Sequence, residues 1–161
     1  MAAFTFFFGP ENPFSQWYTS TFVVGDITYT CAEQYMMHGK ALLFEDGETA
    51  LEILAVDHPR AHKALGRKVR GFDDHVWKRE REGIVMAGSR AKFTQNADLL
   101  DKLLATRGTE LVEASPYDKI WGIGLGERDP NALDPAKWRG LNLLGKILTK
   151  LRDELIVEAK K

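Results

Sequence analysis

Residues 29–44, with the sequence YTCAEQYMMHGKALLF, constrain the fold of this chain more than any other stretch. The pattern predicts the end of a strand, then a cap, then a helix that closes at Asp46-Gly47. Thr30 and Glu33 have the T-x-x-E spacing of a capping box, in which each side chain bonds the other residue's backbone N–H. At about 100° per residue, one apolar face is predicted to be core: Ala32, Tyr35, Met36, Gly39 and Leu43.

Glu33 and Lys40 lie seven residues apart on this predicted helix and are nearly eclipsed, at the margin of its apolar face. A carboxylate and an amine held there could line the floor of a cleft. The structural interpretation is as simple, because a Glu in the first turn is often a cap and a Lys on a helix margin is usually solvated. The helix alone does not decide between the two.

Length and composition exclude several classes of protein. A chain of 161 residues suits one domain, residues 1–161, and its net charge of −1 argues against nucleic-acid binding driven by bulk charge. The single cysteine, Cys31, excludes an intrachain disulfide and favours a reducing compartment. No apolar run approaches the roughly 18 residues of a membrane span, and the first residues lack the features of a signal peptide. We therefore expect a cytoplasmic, intracellular protein without membrane contact.

The remaining periodicity predicts short strands early in the chain and helices through most of it. Strands are predicted at 4–8, 21–24, 27–30 and 110–114, with Gly25-Asp26 as the two-residue type II′ turn of a hairpin. Further helices are predicted at 48–55, from about 57 to 66, from Asp73 or Asp74 towards 93, at 97–106 and at 141–159. The fold class that follows is mostly α with a small β element, an α+β fold.

Motifs for metal or dinucleotide binding are weak in this sequence. His58 and His62 are one helical turn apart, but no Glu or Cys supports them as metal ligands. Residues 122–126 contain G-x-G-x-G, yet Pro130 and Pro135 exclude the helix that a dinucleotide loop requires. Neither a G-x-S-x-G elbow nor a Walker loop is present.

Several polar and aromatic residues lie outside the regular stripes. Residues 115–138 show no helical or strand period, and a loop of that length in a compact domain is usually functional or disordered. The loop contains Asp118 and Trp121, while Trp77 lies on a predicted helix and Asn142 begins the last one. Each also has a structural explanation, as a core tryptophan, a turn-forming Asp or a capping Asn. Residues 60–81 carry eight Lys or Arg against three acids, which predicts a solvated helical surface or a local phosphate site.

In their order and spacing, these residues and their neighbours resemble the NADAR, or YbiA-like, superfamily along nearly the whole chain. The matching pieces are Phe7-Phe8, Phe14-Ser15-Gln16-Trp17, Ala32-Glu33-Gln34-Tyr35 with Lys40, Leu65-Gly66-Arg67, Trp77, Lys92-Phe93, Leu111-Val112-Glu113-Ala114-Ser115, Asp118-Lys119-Ile120-Trp121-Gly122, Gly140-Leu141-Asn142-Leu143-Leu144-Gly145 and Leu151-Arg152. The resemblance implies a compact, single-domain, YbiA-like helical fold and N-glycosidase activity. The expected substrates are ribosylamino-pyrimidine phosphates of riboflavin synthesis, or guanine that carries ADP-ribose.

The resemblance also implies roles for individual residues. The family's acid falls on Glu33, and Lys40 and Asp118 complete the expected catalytic set. The expected substrate-binding residues are Phe8, Ser15, Gln16, Arg67, Trp77, Trp121, Gly122 and Asn142. One departure is that the family's usual Ser-Asn-Phe is Ser15-Gln16-Trp17 here, which bears on substrate preference rather than on chemistry.

The chemistry of these residue types agrees with the resemblance. A carboxylate stabilises the positive charge that builds on ribose, or activates water. Aromatic faces such as Trp77 and Trp121 can stack a flat base. Arg67 and the turn at 140–142 can hold a phosphate. This chemistry requires neither a metal nor an organic cofactor.

The sequence leaves three alternatives open. The protein is an N-glycosidase or a non-catalytic module that binds ADP-ribose or a nucleotide; the joint presence of Glu33, Lys40 and Asp118 favours the enzyme. The substrate is a small molecule or an ADP-ribosylated guanine within a nucleic acid. Either an acid activates water against the ribose, or Lys40 attacks C1 of a ring-opened imine and forms a Schiff base. The second route needs the pKa of Lys40 lowered by partial burial, predicted among Tyr35, Met36 and Leu43.

Overall fold

A computed structural model describes residues 3–161, and within them the chain forms six α-helices and four short strands. The helices are α1 (Ala32–Leu43), α2 (Gly47–Ala55), α3 (Pro59–Gly66), α4 (Asp74–Thr94), α5 (Ala97–Leu104) and α6 (Leu143–Glu158). The strands are β1 (Phe4–Phe7), β2 (Phe22–Val24), β3 (Ile27–Tyr29) and β4 (Glu110–Glu113). The predicted fold class, mostly α with a small β element, is confirmed. In this described part of the chain, no helix combines the length and the apolar character needed to cross a membrane.

The described chain folds into two compact units. The central unit is Gln16–Asn96, with α1 to α4, β2 and β3. The terminal unit comprises the described residues up to Ser15 together with Ala97–Lys161, and it holds β1, β4, α5 and α6. The single domain over residues 1–161 stays a prediction.

Helix α1 is the centre of the central unit and packs against α2, α3 and α4. Two glycines allow this close approach. A Cβ on Gly88 of α4 would lie 2.5 Å from Cδ1 of Tyr35, and a Cβ on Gly66 of α3 would collide with Sδ of Met37. Since α1 has neighbours on three sides, its buried surface is wider than a single stripe.

The predicted apolar face of α1 is therefore wrong in its extent. Ala32 and Met36 are buried as predicted, but Tyr35, Gly39 and Leu43 are only half-buried. The buried surface instead continues around the helix, because α2 and α3 cover positions that the predicted stripe left to solvent. The additional buried residues are Glu33, Gln34, Met37, His38 and Ala41.

The predicted capping box at the start of α1 is also wrong. Cys31 is the N-cap residue and makes no capping hydrogen bond with its side chain. Gln34, one position beyond Glu33, takes the part assigned to Glu33: its Oε1 accepts from the backbone N–H of Thr30 at 2.8 Å. The backbone N–H of Glu33 donates to the carbonyl of Gln16 at 2.9 Å, so the chain entering the unit closes this helix end.

The hairpin before α1 has the predicted two-residue turn. Val24 of β2 pairs with Ile27 of β3, and Gly25 between them has a φ of 62°, which suits the first position of a type II′ turn. The hydroxyl oxygen of Tyr29, at the end of β3, lies 2.9 Å from Nδ1 of His38. Burial raises the pKa of Tyr29 to about 12. The hairpin is thus joined to α1 through buried side chains.

The terminal unit is built on a parallel pair of strands. β1 pairs with β4 in register from Phe4↔Glu110 to Phe7↔Glu113, and α6 packs on β4. Residues 115–138 fold back on this pair: the N–H of Ile123 donates to the carbonyl of Glu113 at 3.0 Å. The loop contains two short 3₁₀ turns, Pro130–Leu133 and Pro135–Lys137. Its buried residues Ile123, Leu125 and Ala132 form a core cluster with Val112 of β4.

Three helix ends differ from the predicted positions by two residues. α3 begins at Pro59 rather than 57, since Nδ1 of His58 accepts from the N–H of Arg60 and caps the helix there. α5 ends at Leu104 rather than 106. α6 begins at Leu143 rather than 141 because Asn142 has a left-handed backbone, with a φ of 52°. Differences of this size are usual for helix ends.

Candidate active site

The structure distributes the predicted site residues over both units. The central unit holds Gln16, Glu33, Lys40, Arg67 and Trp77, and the terminal unit holds Phe8, Ser15, Asp118, Trp121, Gly122 and Asn142. Within the central unit the structure brings Lys40 against Trp77. Within the terminal unit it brings Asp118 and Trp121 into one turn, and it joins Gly122 to Asn142.

The Lys40 amine lies among aromatic rings. Nζ is 4.7 Å from the centroid of the Phe72 ring and 5.5 Å from that of Trp77, which are distances typical of cation–π contacts. Lys40 itself is half-buried near the end of α1. The predicted partial burial of Lys40 is observed, and the rings over its amine, Phe72 and Trp77, were not among the neighbours predicted for it.

Three effects act on the ionisation of Lys40. Burial is the largest, and it lowers the pKa of Lys40 because a charged amine loses hydration there. The negative charge of Glu33 opposes burial and raises this pKa, whereas the positive charge of Arg67 lowers it. The net shift is downward. A lowered pKa increases the fraction of neutral, nucleophilic amine at neutral pH, as a Schiff-base lysine requires.

Glu33 lies in the first turn of α1 and is only 5% exposed. The sequence placed it at the margin of the core, but the structure places it inside, because the segment that begins at Gln16 covers the start of α1. The Gln16 side chain is also buried and its Nε2 lies 4.0 Å from Sδ of Met36. In this geometry the Gln16 amide faces α1.

Arg67 follows α3 directly and its side chain is exposed. It is close enough to Lys40 for its charge to affect the pKa of the amine. An exposed guanidinium is a group that can bind a phosphate, so the position of Arg67 is compatible with the predicted role.

The carboxylate of Asp118 organises a turn in the terminal unit. Its Oδ1 accepts hydrogen bonds from the N–H groups of Ile120 at 2.9 Å and Trp121 at 2.8 Å. Ser115 Oγ accepts from the N–H of Asp118 at 3.1 Å. The turn-forming explanation of Asp118 therefore holds, and its catalytic role stays a prediction.

Asn142 is fully buried, and its side chain is bonded to the backbone of β4. Its Oδ1 accepts from the N–H of Glu113 at 3.0 Å and its Nδ2 donates to the carbonyl of Leu111 at 3.1 Å. The backbone N–H of Asn142 donates to the carbonyl of Gly122 at 3.0 Å. A side chain at Gly122 would crowd the carbonyl of Glu113. The geometry gives Asn142 and Gly122 a structural contact that fixes the loop on β4.

The other predicted residues of the terminal unit differ in exposure. Phe8 is exposed and its ring centroid lies 6.5 Å from that of Tyr117, an almost fully exposed residue in the loop. Trp121 is half-buried. Ser15 is buried and its N–H donates to the carbonyl of Asn12 at 2.9 Å. Phe8 is thus the predicted aromatic residue of this unit that offers the most surface to a ligand.

The sequence did not indicate the surroundings of two further residues. Phe72 lies in a charged, irregular segment that shows no periodicity, so the only signal was one aromatic residue before the Asp73 cap. Lys92 matched the family pattern, but nothing in an amphipathic helix indicates a buried lysine. It is 1% exposed, and burial lowers its pKa to about 7.

The His58 and His62 pair has structural partners. Because the Val56 carbonyl can only accept, Nε2 of His62 donates to it at 2.6 Å. Nδ1 of His62 therefore accepts from the Cys31 thiol, with Sγ at 3.6 Å. His58 caps α3, as described above. Among residues 3–161 no group of three or more His, Cys, Asp or Glu side chains could hold a metal ion.

Comparisons with known proteins agree with the sequence pattern. The profile of the NADAR domain family matches residues 6–156. N-glycosidase R617 of Acanthamoeba polyphaga mimivirus is 45% identical over 146 residues, which are 88% of this chain and 86% of the relative. The riboflavin biosynthesis protein PYRR, chloroplastic, of Zea mays is 32% identical over 109 residues, 65% of this chain and 16% of the relative. The NMR structure of the E. coli protein YbiA superimposes with a TM-score of 0.81 at 28% identity, over 100% of this chain and 90% of that chain.

Proposed function

Because the chain belongs to the NADAR domain family, we propose that it is an N-glycosidase, a hydrolase that breaks the bond between a ribose and an amine. The mimivirus relative bears the name N-glycosidase. The observation that carries the proposal in this structure is the half-buried Lys40 amine, whose pKa is lowered by burial. A module that only binds a nucleotide gains nothing from an amine whose pKa is lowered.

The reaction that suits this amine is covalent and needs no redox partner. The substrate nitrogen keeps its proton and forms an iminium with C1 as the C1–O4 bond breaks, and O4 takes a proton from a general acid. The neutral Lys40 amine adds to C1 and passes a proton to the substrate nitrogen, and the C1–nitrogen bond then breaks. The heterocycle leaves as a free amine and Lys40 holds the ribose as a Schiff base. Water adds to C1, the C1–Nζ bond breaks, and the sugar is released as an aldehyde that closes again.

Glu33 is the group that we assign to proton transfer in these steps. It lies on the same rigid helix as Lys40, and its buried carboxylate acts on the pKa of that amine. A buried carboxylate whose charge reaches the amine can serve as general acid and base in these steps. Direct attack of an activated water on the ribose is the competing route. In that route Lys40 forms no covalent bond to the substrate.

The substrate class is an N-ribosylated guanine or guanine-like pyrimidine that carries a phosphate. The exposed Arg67 beside Lys40 supports the phosphate. The name of the maize relative supports a riboflavin intermediate. Guanine linked to ADP-ribose, free or within a nucleic acid, contains the same ribose–amine bond and is the second substrate to test.

The test is release of the free heterocycle and of the sugar phosphate from both substrates. Lys40→Met removes the nucleophile while keeping the length of the side chain, and turnover should fall at least about 100-fold. Lys63→Met is the matched control, because Lys63 also lies over an aromatic ring, with Nζ 6.0 Å from the centroid of Trp17. Its turnover should equal that of the wild type.

Two results would contradict the proposal. Tight binding of ADP-ribose without release of any heterocycle would identify a binding module. Turnover in folded Lys40→Met at the rate of Lys63→Met would leave hydrolysis in place but exclude the covalent route.

A further inference from the structure

The segment between α3 and α4 is fixed to the corner between α1 and α2. The N–H of Arg70 donates to Oδ2 of Asp46 at 2.9 Å, and Nη2 of Arg70 donates to Oδ1 of Asp46 at 2.9 Å. Asp46 is buried and also caps α2 through the N–H of Thr49. The Arg70 guanidinium beside Asp46 holds the pKa of that carboxyl well below its usual range, so the pair remains ionic at neutral pH. Arg70 is therefore tied to the corner by both backbone and side chain.

Phe72 follows this tie and lies over Lys40. Gly71 between them has a φ of 77°, a conformation that glycine adopts without strain and that turns the chain after Arg70. The Phe72 ring packs against Phe44 with centroids 5.4 Å apart, and its own centroid is 4.7 Å from Nζ of Lys40. Phe72 is 46% exposed, whereas Trp77, the other ring beside the amine, is 8% exposed. Of these two rings beside the amine, Phe72 is the one with a solvent-exposed surface.

We propose that Phe72, held in place by the Asp46–Arg70 pair, is a positioning residue that shields the Lys40 amine from bulk water and keeps it nucleophilic. This inference rests on the proposed function, in which Lys40 attacks C1. Phe72 acts through Lys40 and forms no bond to the reacting atoms. The family resemblance assigned no role to Phe72, Asp46 or Arg70.

Two physical effects of the ring have opposite signs, which makes the proposal testable. The ring excludes water and so disfavours the ammonium, but its π face attracts a cation. Two charged residues act on the amine, Glu33 on α1 and Arg67 after α3. The residue of α4 that faces the amine is Trp77, through its uncharged ring. Because burial is the largest effect on Lys40, removal of the ring should favour the ammonium.

The experiment measures how readily Lys40 reacts with an amine-specific acylating reagent as a function of pH, by peptide mass spectrometry. The pH midpoint reports ionisation even where access to the amine changes. Phe72→Ala should raise the Lys40 midpoint by about one pH unit, which is tenfold in the neutral fraction at a given pH. Phe72→Tyr, which keeps the ring, should restore the wild-type midpoint. Leu51→Ala is the control, since Leu51 is an exposed apolar residue of α2.

Arg70→Met provides a second variant that leaves Phe72 in the chain. It breaks the tie to Asp46 and should raise the midpoint in the same direction by a smaller amount. The acid limb of the pH profile of kcat/KM should move with the midpoint in each variant. An unchanged midpoint in both Phe72→Ala and Arg70→Met, or a downward shift in either, would overturn the positioning role.

Failure of this inference and failure of the proposed function are distinguishable. The midpoint is measured without substrate, so it reports on Phe72 even in an inactive protein. If Lys40→Met retains full turnover, the proposed covalent route fails whatever the midpoint does. If Lys40→Met is inactive while the midpoint is unchanged, only the role of Phe72 fails.

Discussion

The Lys40 amine lies 5.5 Å from the centre of the Trp77 ring, and Trp77 is buried in the central unit. The sequence suggested that Trp77 stacks the base of the substrate. A ring that is largely buried and already contacts a lysine is better placed to hold that lysine than to bind a ligand. We therefore expect Trp77 to affect the chemical step more than substrate binding.

Trp77→Phe keeps an aromatic ring but moves its face away from the amine. We expect kcat to fall about tenfold with KM changed less than about twofold, because only the orientation of Lys40 is disturbed. Steady-state kinetics with the phosphorylated substrate measure both constants. Trp138→Phe in the terminal unit controls for loss of an indole. A raised KM at unchanged kcat would instead assign Trp77 to the base.

Asp118→Asn separates the turn from the charge. The Asn Oδ1 can still accept from the N–H groups of Ile120 and Trp121, so the melting temperature should change little. Turnover should fall about 100-fold if the carboxylate takes part in catalysis. Asp129→Asn is matched, because Asp129 Oδ1 also accepts from a backbone N–H in its own turn. Equal turnover in the two variants would reduce Asp118 to a turn residue.

Arg67→Ala should raise KM for a phosphorylated substrate about tenfold and leave KM for the dephosphorylated nucleoside nearly unchanged, since a charged hydrogen bond is lost only in the first case. Arg60→Ala is the control, because Arg60 is an exposed arginine on α3. Kinetics on both substrates provide the comparison. A similar rise in KM for both substrates would show that Arg67 supports the fold or the Lys40 amine instead.

Lys92 should make stability depend on pH. Its pKa is lowered from 10.5 to about 7 in the folded protein, so between these values the unfolded chain binds a proton that the folded chain does not. Stability therefore rises with pH in this window, and the contribution of neutral Lys92 is lost as pH falls towards 7. From about pH 7 to pH 9, the free energy of unfolding should rise on the order of 2 kcal/mol more in the wild type than in Lys92→Met.

Denaturant unfolding at several pH values measures this difference. These pH values stay below the range in which Tyr29, with its raised pKa, loses its proton. Lys78→Met, on the exposed side of α4, should retain the wild-type pH dependence. Parallel pH curves for the wild type and Lys92→Met would contradict the lowered pKa.

The secondary structure was largely predictable because it depends on local patterns. The period of α1, the Asp73 cap of α4 and the Gly25 turn each follow from a few neighbouring residues. The width of the buried face of α1 was not predictable, because it depends on Gly66 and Gly88 in distant helices. The capping box failed for a similar reason: Gln34 competes with Glu33 for Thr30, and Gln16 takes the N–H of Glu33.

The candidate site was predictable only where a family pattern names its residues. Spacing on one helix made Lys40 and Glu33 candidates and the family pattern named them, but neither indicated the rings over Lys40. Phe72 reaches the amine through a tie between Arg70 and Asp46, which are 24 positions apart in sequence. Asn142 shows the opposite case: its place in the pattern suggested a ligand contact, and the structure commits its amide to β4.

The central claim is that Lys40 forms a covalent bond to the ribose during turnover, and borohydride trapping tests it most directly. The protein is incubated with substrate and borohydride, and its intact mass and peptide map are measured, with Lys63→Met as the active control. We predict one reduced ribose adduct per chain, located on Lys40, together with loss of activity. Continued turnover without any adduct in the wild type, with normal activity in Lys40→Met, would contradict the account.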